Sequence, residues 1–274
     1  MMQRVPERRA CRVLAVSRTT IRYRFGQPDP TEELIRAEMM RLAVRYRRYG
    51  SPRMTWLLHR GGFQVNHKRV ERIYRDAGLT LPRRRPRKRI TLGWKRPEEA
   101  SGPNEVWTID FVFDLTKRGQ KLKMLTVLDE YTRECLEIRV EQGMKSRDVV
   151  EILDELMAER GAPKHIRCDN GSEFIAEELR DWLNEKGVEP LYVEPGSPWQ
   201  NGYIESFNGK LRDECLNQEV FLSKTEAQVV VDWYRQVYNQ ERPHSSLGGK
   251  TPAEIAGGAE GLAPQEGGKH GGLN

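Results

Sequence analysis

Three acidic residues, Asp110, Asp169 and Glu205, lie in segments that could bring their carboxylates to one place. Carboxylate oxygens are hard ligands of the kind that bind Mg²⁺ or Mn²⁺, and this donor set does not distinguish the two ions. Two such ions can hold both the attacking and the leaving oxygen of a phosphodiester bond. The three residues are therefore candidate metal ligands and candidate catalytic residues of an enzyme that cuts and joins DNA.

The segment around each acid predicts the element that would position it. Residues 106–113 are rich in β-branched and aromatic types, which predicts a strand that presents the first acid at its end. Residues 165–169 form a shorter apolar run that closes with the second acid, and an Asn-Gly turn signal follows at once. Residues 199–216 predict a helix for the third acid. We expect two strand ends and one helix to present the carboxylates to a common site.

A less specific interpretation of these acids stays open at this stage. Acidic residues occupy 40 of the 274 positions, so the interval between Asp169 and Glu205 is weak evidence by itself. Most acids near strand ends are solvated residues of surface turns. An Asp-Asn-Gly sequence after a strand and a Glu on an amphipathic helix are separately unusual, which favours the metal site.

Length and composition restrict the class of protein. A chain of 274 residues allows one large or two modest domains. No run approaches the roughly 18 consecutive apolar residues of a membrane span, and the first residues show no apolar export signal. The four cysteines are scattered without a Cys-x-x-Cys pair, so we expect neither a zinc site nor a disulfide framework. These features predict a protein of the reducing cytoplasm with no membrane partner.

Charge is segregated between the two parts of the chain. Residues 1–100 contain 26 Lys and Arg against 9 acidic residues, whereas residues 101–274 contain 20 against 31. The formal net charges of the two parts are therefore +17 and −11, which together give the +6 of the whole chain. A basic part joined to an acidic part is typical of a nucleic-acid grip that feeds a metal-dependent active centre.

Residues 29–81 predict a helix-turn-helix domain that binds DNA. Three short helices are predicted: one over 29–49, one from residue 51 to the Gly-Gly pair at 61–62, and one over 67–77 with Asn66 as its cap. A basic third helix suits entry into the major groove. Its candidate DNA contacts are Lys68, Arg69, Arg72 and Arg75. A small helical bundle with a solvated basic face is the alternative interpretation.

Two further basic segments flank this domain. Residues 1–28 predict a short helical segment, with helices over 8–14 and 19–23 and Ser17 as a cap between them. Residues 82–102 predict an extended linker, because proline prevents a continuous helix and like charges repel. Along a DNA backbone the linker would add a strongly salt-dependent affinity. The candidate DNA contacts of the linker are Arg83, Arg84, Arg85, Arg87 and Lys88.

Residues 103–222 predict an α/β core of ribonuclease-H type, with three antiparallel strands followed by helix-linked strands. The predicted elements are strands over 106–113, 122–128 and 135–140, a helix over 146–160, a strand over 165–169, a helix over 176–186, a strand over 189–193 and a helix over 199–216. Residues 223–256 predict a helical extension of the core, in which Trp233 and Tyr234 are expected to be buried. Residues 257–274 are rich in Gly and predict a disordered tail.

The helix that carries Glu205 also offers candidate DNA contacts. Asn208, Gly209 and Arg212 follow the acid by three, four and seven residues, so they share its face. A surface salt bridge is the alternative role for Arg212. The candidate DNA contacts of this part of the chain are Asn170, Asn208, Lys210 and Arg212.

Four sequence blocks resemble the motifs of DDE transposases. They are residues 107–111, 168–174, 197–209 and 238–247, and they occur in the same order as in that family. The pattern is most similar to the OrfB-type transposases of bacterial insertion sequences of family three, which are relatives of retroviral integrases. Residues 49–53 and the helices after them resemble the helix-turn-helix segment of the same proteins.

The resemblance implies a ribonuclease-H-like catalytic core in which Asp110, Asp169 and Glu205 bind two divalent ions. It implies a transposase that cleaves and transfers DNA strands by attack of a 3′-hydroxyl on a phosphodiester, without a covalent protein–DNA intermediate. Element ends and target DNA are the implied partners, bound by a homo-oligomer at the bacterial nucleoid. An upstream helix-turn-helix protein of OrfA type, fused or separate, is a further implied partner.

Two alternative functions stay open. The first is a non-catalytic DNA-binding protein that regulates transposition, and the second is a related nuclease that cuts without joining. The chain shows no leucine heptad and lacks the zinc-binding His and Cys set of retroviral integrases. The intact set of three carboxylates argues against the regulatory protein.

Overall fold

The structure is a computed structural model that describes residues 6–22, 30–82, 100–194 and 197–258. The chain divides into two units. Unit 1 contains the residues up to Arg45 together with Tyr49–Thr80, and unit 2 contains Tyr46–Arg48 and the residues from Leu81 onward. The five predicted linker contacts, Arg83, Arg84, Arg85, Arg87 and Lys88, lie outside the described residues, as does the predicted tail beyond residue 258.

Unit 1 is helical over its described residues. Its helices are α1 (Glu7–Val13), α2 (Arg18–Arg22), α3 (Pro30–Arg45), α4 (Ser51–Arg60) and α5 (His67–Asp76). The apolar stripes of the last three helices form a core, in which Ile35, Met39, Leu58 and Ile73 are each almost fully buried. This arrangement confirms the all-α class predicted for this part of the chain.

The predicted helix boundaries hold where a cap sets them. Asn66 caps α5, because its side chain accepts a hydrogen bond from the backbone N–H of Lys68 at 2.9 Å. Ser17 caps α2 in the same way, through the N–H of Thr20 at 3.1 Å. The predicted end of α3 at residue 49 is wrong, since the helix stops at Arg45 and residues 46–48 belong to unit 2.

Unit 2 is built on a mixed sheet of strands β1 (Val106–Leu115), β2 (Lys121–Asp129), β3 (Cys135–Glu141), β4 (His165–Cys168) and β5 (Glu189–Tyr192). The strands lie in the order β3-β2-β1-β4-β5. The first three pair antiparallel, and β4 and β5 are added in parallel. The strand order and the pairing confirm the predicted ribonuclease-H-like class.

Helices cover both faces of this sheet. They are α6 (Ser146–Arg160), α7 (Glu177–Glu185), α8 (Gly202–Glu214), α9 (Lys224–Gln240) and α10 (Pro252–Gly257). Helices α6 and α7 pack with Trp107 and Ile109 on one face, and α8 and α9 pack with Val112 on the other. The alternation along β1 places its odd and even residues in these two cores. Within the described residues, no helix is long and apolar enough to cross a membrane.

Two predictions about the later helices are wrong in detail. The helix expected from residue 199 begins at Gly202, because Pro198–Asn201 form a 3₁₀ turn. Tyr234 is buried as expected, but Trp233 is 52% exposed on the outer face of α9. Helix α10 lies at the end of the predicted helical extension, and a capping box formed by Thr251 and Glu254 marks its start.

Buried contacts attach α8 to the chain that follows it. The rings of Phe207 on α8 and Tyr238 on α9 meet edge to face, with centroids 4.8 Å apart. Arg242 donates two hydrogen bonds to the carboxylate of Glu214, at 2.7 and 2.6 Å, and both side chains are almost fully buried. The end of the helix that carries Glu205 is therefore fixed by residues beyond the sheet.

Helix α9 also completes the sheet at its outer strand. The side-chain amide of Asn239 bonds both backbone groups of Cys135, at 2.9 and 2.8 Å. Gln228 bonds the N–H of Val140 and the carbonyl of Ile138, at 2.7 and 2.8 Å. These groups lie on the free edge of β3, which would otherwise be open to pairing with another strand. Residues of α9 are thus part of the core.

The buried ion pair gives a test of this packing. Replacing Arg242 with Met removes the two charge-assisted hydrogen bonds to the buried carboxylate of Glu214, so we expect the free energy of unfolding to fall by about 3–5 kcal/mol. Arg147→Met removes an exposed partner of Glu151 and should cost at most about 1 kcal/mol. Urea unfolding followed by circular dichroism measures both.

A second substitution identifies the cause of the loss. Adding Glu214→Leu to Arg242→Met removes the buried carboxylate, and most of the lost stability should return. A loss below about 1 kcal/mol in the single Arg242→Met variant would show that the pair does not hold α8 in place.

Candidate active site

The sheet opens where β1 and β4 part. Strand β4 pairs with β1 only from Val106 to Thr108, whereas β1 continues to Leu115 in its hairpin with β2. Asp110 follows the last pair by two residues, and Asp169 follows the last residue of β4. The two acids therefore lie at the same opening between neighbouring strands.

The prediction of two strand ends is right for one acid only. Asp169 does follow the end of β4. Asp110 instead lies in the middle of β1, where Thr126 of β2 is its partner. The difference arises because pairing with β2 extends β1 past the acid, and local sequence composition does not reveal that pairing.

Glu205 lies in the first turn of α8 and is exposed. The 3₁₀ turn before this helix is fixed to β1, because the hydroxyl of Thr108 donates to the side-chain oxygen of Asn201 at 2.8 Å, and both residues are buried. Ile204 and Phe207 then bury the inner face of α8 in the core of the sheet. The helix thus presents Glu205 from the side of the sheet that Asp110 also faces.

The electrostatics of Asp110 place the other two acids near it. Burial raises the pKa of Asp110 to about 6, and the negative charges of Asp169 and Glu205 add to the rise. Hydrogen bonds from the N–H of Phe111 and from Asn208 lower the pKa in part. Burial also raises the pKa of Glu205. Negative charge is therefore concentrated at this opening, which is a site that favours a cation.

Asn208 holds the carboxylate of Asp110. Its amide nitrogen donates to Oδ2 of Asp110 at 2.8 Å, and its oxygen accepts from the hydroxyl of Thr126 at 3.1 Å. The side chain is 8% exposed, so both of its polar atoms are committed inside the protein. The sequence predicted that Asn208 shares a helix face with Glu205 and contacts DNA. The DNA contact stays a prediction, and the hydrogen bond of Asn208 to Asp110 was not predicted.

The loop after β4 fixes Asp169. Its Oδ1 accepts from the N–H of Gly171 at 2.9 Å. A Cβ added to Gly171 would lie 3.0 Å from the same oxygen, so this tight turn favours glycine. The side chain of Asn170 donates to the carbonyl of Val193 at 2.8 Å. The predicted contact of Asn170 with DNA is untested, but its amide nitrogen already supports the loop.

The other predicted contacts near the site lie on α8. Arg212 is exposed, and its guanidinium donates to the carbonyl of Phe113 at 3.1 Å. Lys210 donates to the hydroxyl of Ser206 at 3.1 Å. Neither arrangement tests binding of DNA, which stays a prediction for both residues.

The basic side chains of α5 share their surface with acids. Arg72 donates two hydrogen bonds to Glu32 of α3, at 3.0 and 2.6 Å, and a nitrogen of Arg69 lies 3.6 Å from the same carboxylate. Arg75 lies 3.8 Å from Glu71. Lys68 is exposed.

The carboxylate oxygens suit a hard divalent cation, although the three acids do not lie close enough together to form a complete binding site. Among the residues that the structure describes, no group of three His, Cys, Asp or Glu side chains is close enough to hold one ion. The oxygen donors and the raised pKa of Asp110 fit a cation that binds between them.

Comparison with known families agrees with this geometry. Two models described as integrase core domain match residues 100–198 and 186–252, and a model described as an HTH-like domain matches residues 30–87. The first two matches together cover the whole sheet, including the segments of Asp110 and Asp169, and the helix of Glu205. The third covers helices α3, α4 and α5.

Similar proteins come from bacterial insertion elements. The chain is 42% identical over 252 residues to the insertion element IS407 31.7 kDa protein of Burkholderia multivorans, covering 92% of this chain and 91% of that protein. It is 28% identical over 218 residues to the putative transposase InsK for IS150 of Escherichia coli, covering 76% and 77%. A solved intasome of simian T-cell lymphotropic virus, in complex with a PP2A regulatory subunit, matches with a TM-score of 0.51 at 18% identity, over 86% of this chain and 80% of that chain. This last likeness shows the fold alone.

The fold and the site define a polynucleotidyl transferase with an integrase core. Within that class the chain belongs to the transposases of bacterial insertion sequences of family three. The predicted fold class, enzyme class and activity in DNA transposition are thereby confirmed.

The raised pKa of Asp110 predicts a pH-dependent penalty on folding. Because the folded-state pKa of about 6 exceeds the ordinary value of 3.8, the stability that this carboxyl contributes is fully present below pH 3.8 and is lost as the pH rises through 6. Asp110→Asn should therefore stabilise the metal-free protein at pH 8, by on the order of 2 kcal/mol. The gain should shrink toward zero near pH 4.

Urea unfolding in EDTA at the two pH values measures this difference. Asp181→Asn, a neutralisation of an exposed carboxyl on α7, is the control and should change little at either pH. Equal stabilities of Asp110→Asn and the unmodified protein at pH 8 would contradict the strained environment of Asp110.

Proposed function

We propose that Asp110, Asp169 and Glu205 are the catalytic carboxylates of this transposase and bind two divalent ions, Mg²⁺ or Mn²⁺. The observation that carries the proposal is the partly buried Asp110 carboxylate, whose pKa is raised to about 6 through desolvation and through the neighbouring charges of the other two acids. A protein retains such an arrangement when a bound cation compensates it. The ions, when bound, would stabilise the attacking and the leaving oxygens of the phosphodiester during cleavage and strand transfer.

The contribution of the chain is to orient the three ligands. The amide of Asn208 and the N–H of Phe111 hold the carboxylate of Asp110. The N–H of Gly171 holds that of Asp169. The hydrogen bond between Thr108 and Asn201 fixes the start of α8, one turn before Glu205. Ligands whose rotamers are fixed before binding lose less entropy when a metal arrives.

Binding of DNA is proposed for the basic surfaces. Helix α5 of unit 1 would lie in or along a groove, with Lys68, Arg72 and Arg75 exposed on it. The basic linker after residue 82 would add contacts to phosphate. The pairing of Arg72 with Glu32 implies that phosphate must compete with this carboxylate, which would weaken binding to non-specific DNA.

The partners and the domain boundaries are proposed at the same level. Likeness to the family, rather than contacts of this chain, supports the proposal of a homo-oligomer on DNA, an upstream protein of OrfA type and a location at the nucleoid. The proposed domains are a helical segment over 1–28, a DNA-binding domain over 29–81, a linker over 82–102, and a catalytic core over 103–222 with its helical extension to 256. The bonds of α9 to the edge of β3 support treating the last two as one folding unit.

Strand transfer by the purified protein tests the catalytic proposal. The substrate is a labelled oligonucleotide that carries the element's end, with a supercoiled target and Mg²⁺, Mn²⁺ or EDTA. We expect a metal-dependent joined product that falls at least about 100-fold in Glu205→Gln, since a carboxylate ligand is lost. Glu219→Gln, an exposed acid beyond the end of α8, should leave the product unchanged.

Each other outcome of this assay would support a different conclusion about function. Full activity in Glu205→Gln would show that this acid is not a ligand. Cut ends without joined product would favour a nuclease. Binding without any product calls for a repeat with the upstream frame fused, and a second failure would favour a regulatory protein.

The proposed groove contact has a separate test. Arg72→Ala together with Arg75→Ala should weaken DNA binding and reduce the slope of log affinity against log salt concentration by about 2, one for each lost phosphate contact. Fluorescence anisotropy at several salt concentrations measures the slope, with circular dichroism as the check of folding. Arg147→Ala, on the exposed surface of α6 in unit 2, is the control. An unchanged slope in the double variant would remove α5 from the DNA interface.

A further inference from the structure

Lys123 is a buried cation on the sheet face opposite α8. It lies in β2 opposite Phe113 and is 8% exposed. Its ammonium group donates to the carbonyl of Met144 at 3.0 Å and to the carboxylate of Glu173, and it lies 3.8 Å from the ring centroid of Phe111. Lysine is seldom buried unless it is paired, so this position has a specific environment.

The partners of Lys123 come from the two segments that carry catalytic acids. Phe111 directly follows Asp110 in β1, and Glu173 lies four residues after Asp169. Phe174, the next residue, stacks on Phe111 with centroids 4.7 Å apart and planes 9° from parallel. We call these four residues, Lys123, Glu173, Phe111 and Phe174, the loop anchor.

We propose that the loop anchor is a positioning device that sets the place of Asp169 relative to Asp110. Apart from the anchor, the bond from Asn170 to Val193 holds the start of the loop after β4, and the hydroxyl of Tyr192 donates to the carbonyl of Phe174 at 3.5 Å. Without the anchor, rotation about the backbone bonds between these two attachments would let the Asp169 carboxylate move. This inference rests on the proposed role of Asp169 as a metal ligand.

The environment of Lys123 excludes a role in direct contact with DNA. Its side chain is 10% exposed, and its charge is already balanced by Glu173. The hydrogen bond from Lys123, together with one from Ser172, lowers the pKa of Glu173 to about 2. The carboxylate therefore stays ionised, and the pair stays intact, at neutral pH.

Lys123→Met separates positioning from mere stability. Methionine fills a similar volume and leaves no buried charge, and Glu173 can turn toward solvent because its side chain is 29% exposed. Binding of Mn²⁺ to the full chain, followed by electron paramagnetic resonance without DNA, is the readout. We expect Lys123→Met to raise the Kd for Mn²⁺ about tenfold, as loss of an outer support of a ligand commonly does. Lys123→Arg, which keeps the cation, should recover most of the affinity.

Two further variants make the result decisive. Glu173→Ala breaks the anchor from the side of the loop and should weaken Mn²⁺ binding to the same degree, which keeps the test valid if Lys123→Met does not fold. Arg147→Met removes an exposed ion pair on α6 and should leave the Kd unchanged. Unchanged Mn²⁺ affinity in folded Lys123→Met or in folded Glu173→Ala would overturn the loop anchor.

Asp169→Asn distinguishes failure of the anchor from failure of the proposed function. If Asp169→Asn binds Mn²⁺ as tightly as the unmodified protein, Asp169 is not a ligand and the anchor proposal falls with it. If Asp169→Asn loses Mn²⁺ binding while both anchor variants keep it, the catalytic proposal stands and the anchor alone is wrong.

Discussion

The partial burial of the Asp110 carboxylate at an opening of the sheet is the constraint on which the rest of unit 2 depends. Removal from water raises the pKa of Asp110 to about 6, and the charges of Asp169 and Glu205 add to the rise. A folded chain tolerates such a site only if the surrounding structure holds each acid in place. The hydrogen bonds that Asn208 and Gly171 donate to the acids perform that task.

The two faces of the sheet support the site by different physical means. On one face, apolar packing and the buried pair of Arg242 and Glu214 hold the helix that carries the third acid. On the other face, the ion pair of Lys123 and Glu173 attaches the loop that carries Asp169 to β2, which pairs with the strand of Asp110. The site therefore joins segments that are far apart in sequence, which is why its geometry depends on the complete core, including the residues after α8.

Local patterns in the sequence predicted the elements better than they predicted the partners. Alternation and turn signals gave the five strands, their order in the chain and the helix of Glu205, because these depend on near neighbours. The position of Asp110 within its strand could not be predicted, since pairing with β2 sets it. The bond of Asn208 to Asp110, the burial of Lys123 and the exposure of Trp233 were missed for the same reason. Each depends on which residues distant in sequence become neighbours.

Anomalous diffraction from crystals grown with MnCl₂ would test most directly whether the three acids form one cation site. We expect Mn²⁺ peaks whose nearest protein atoms are carboxylate oxygens of Asp110, Asp169 and Glu205, with Asn208 still bound to Asp110. If this opening has no peak at saturating Mn²⁺, or if the peaks lie only on other acids, the three residues do not form one cation site.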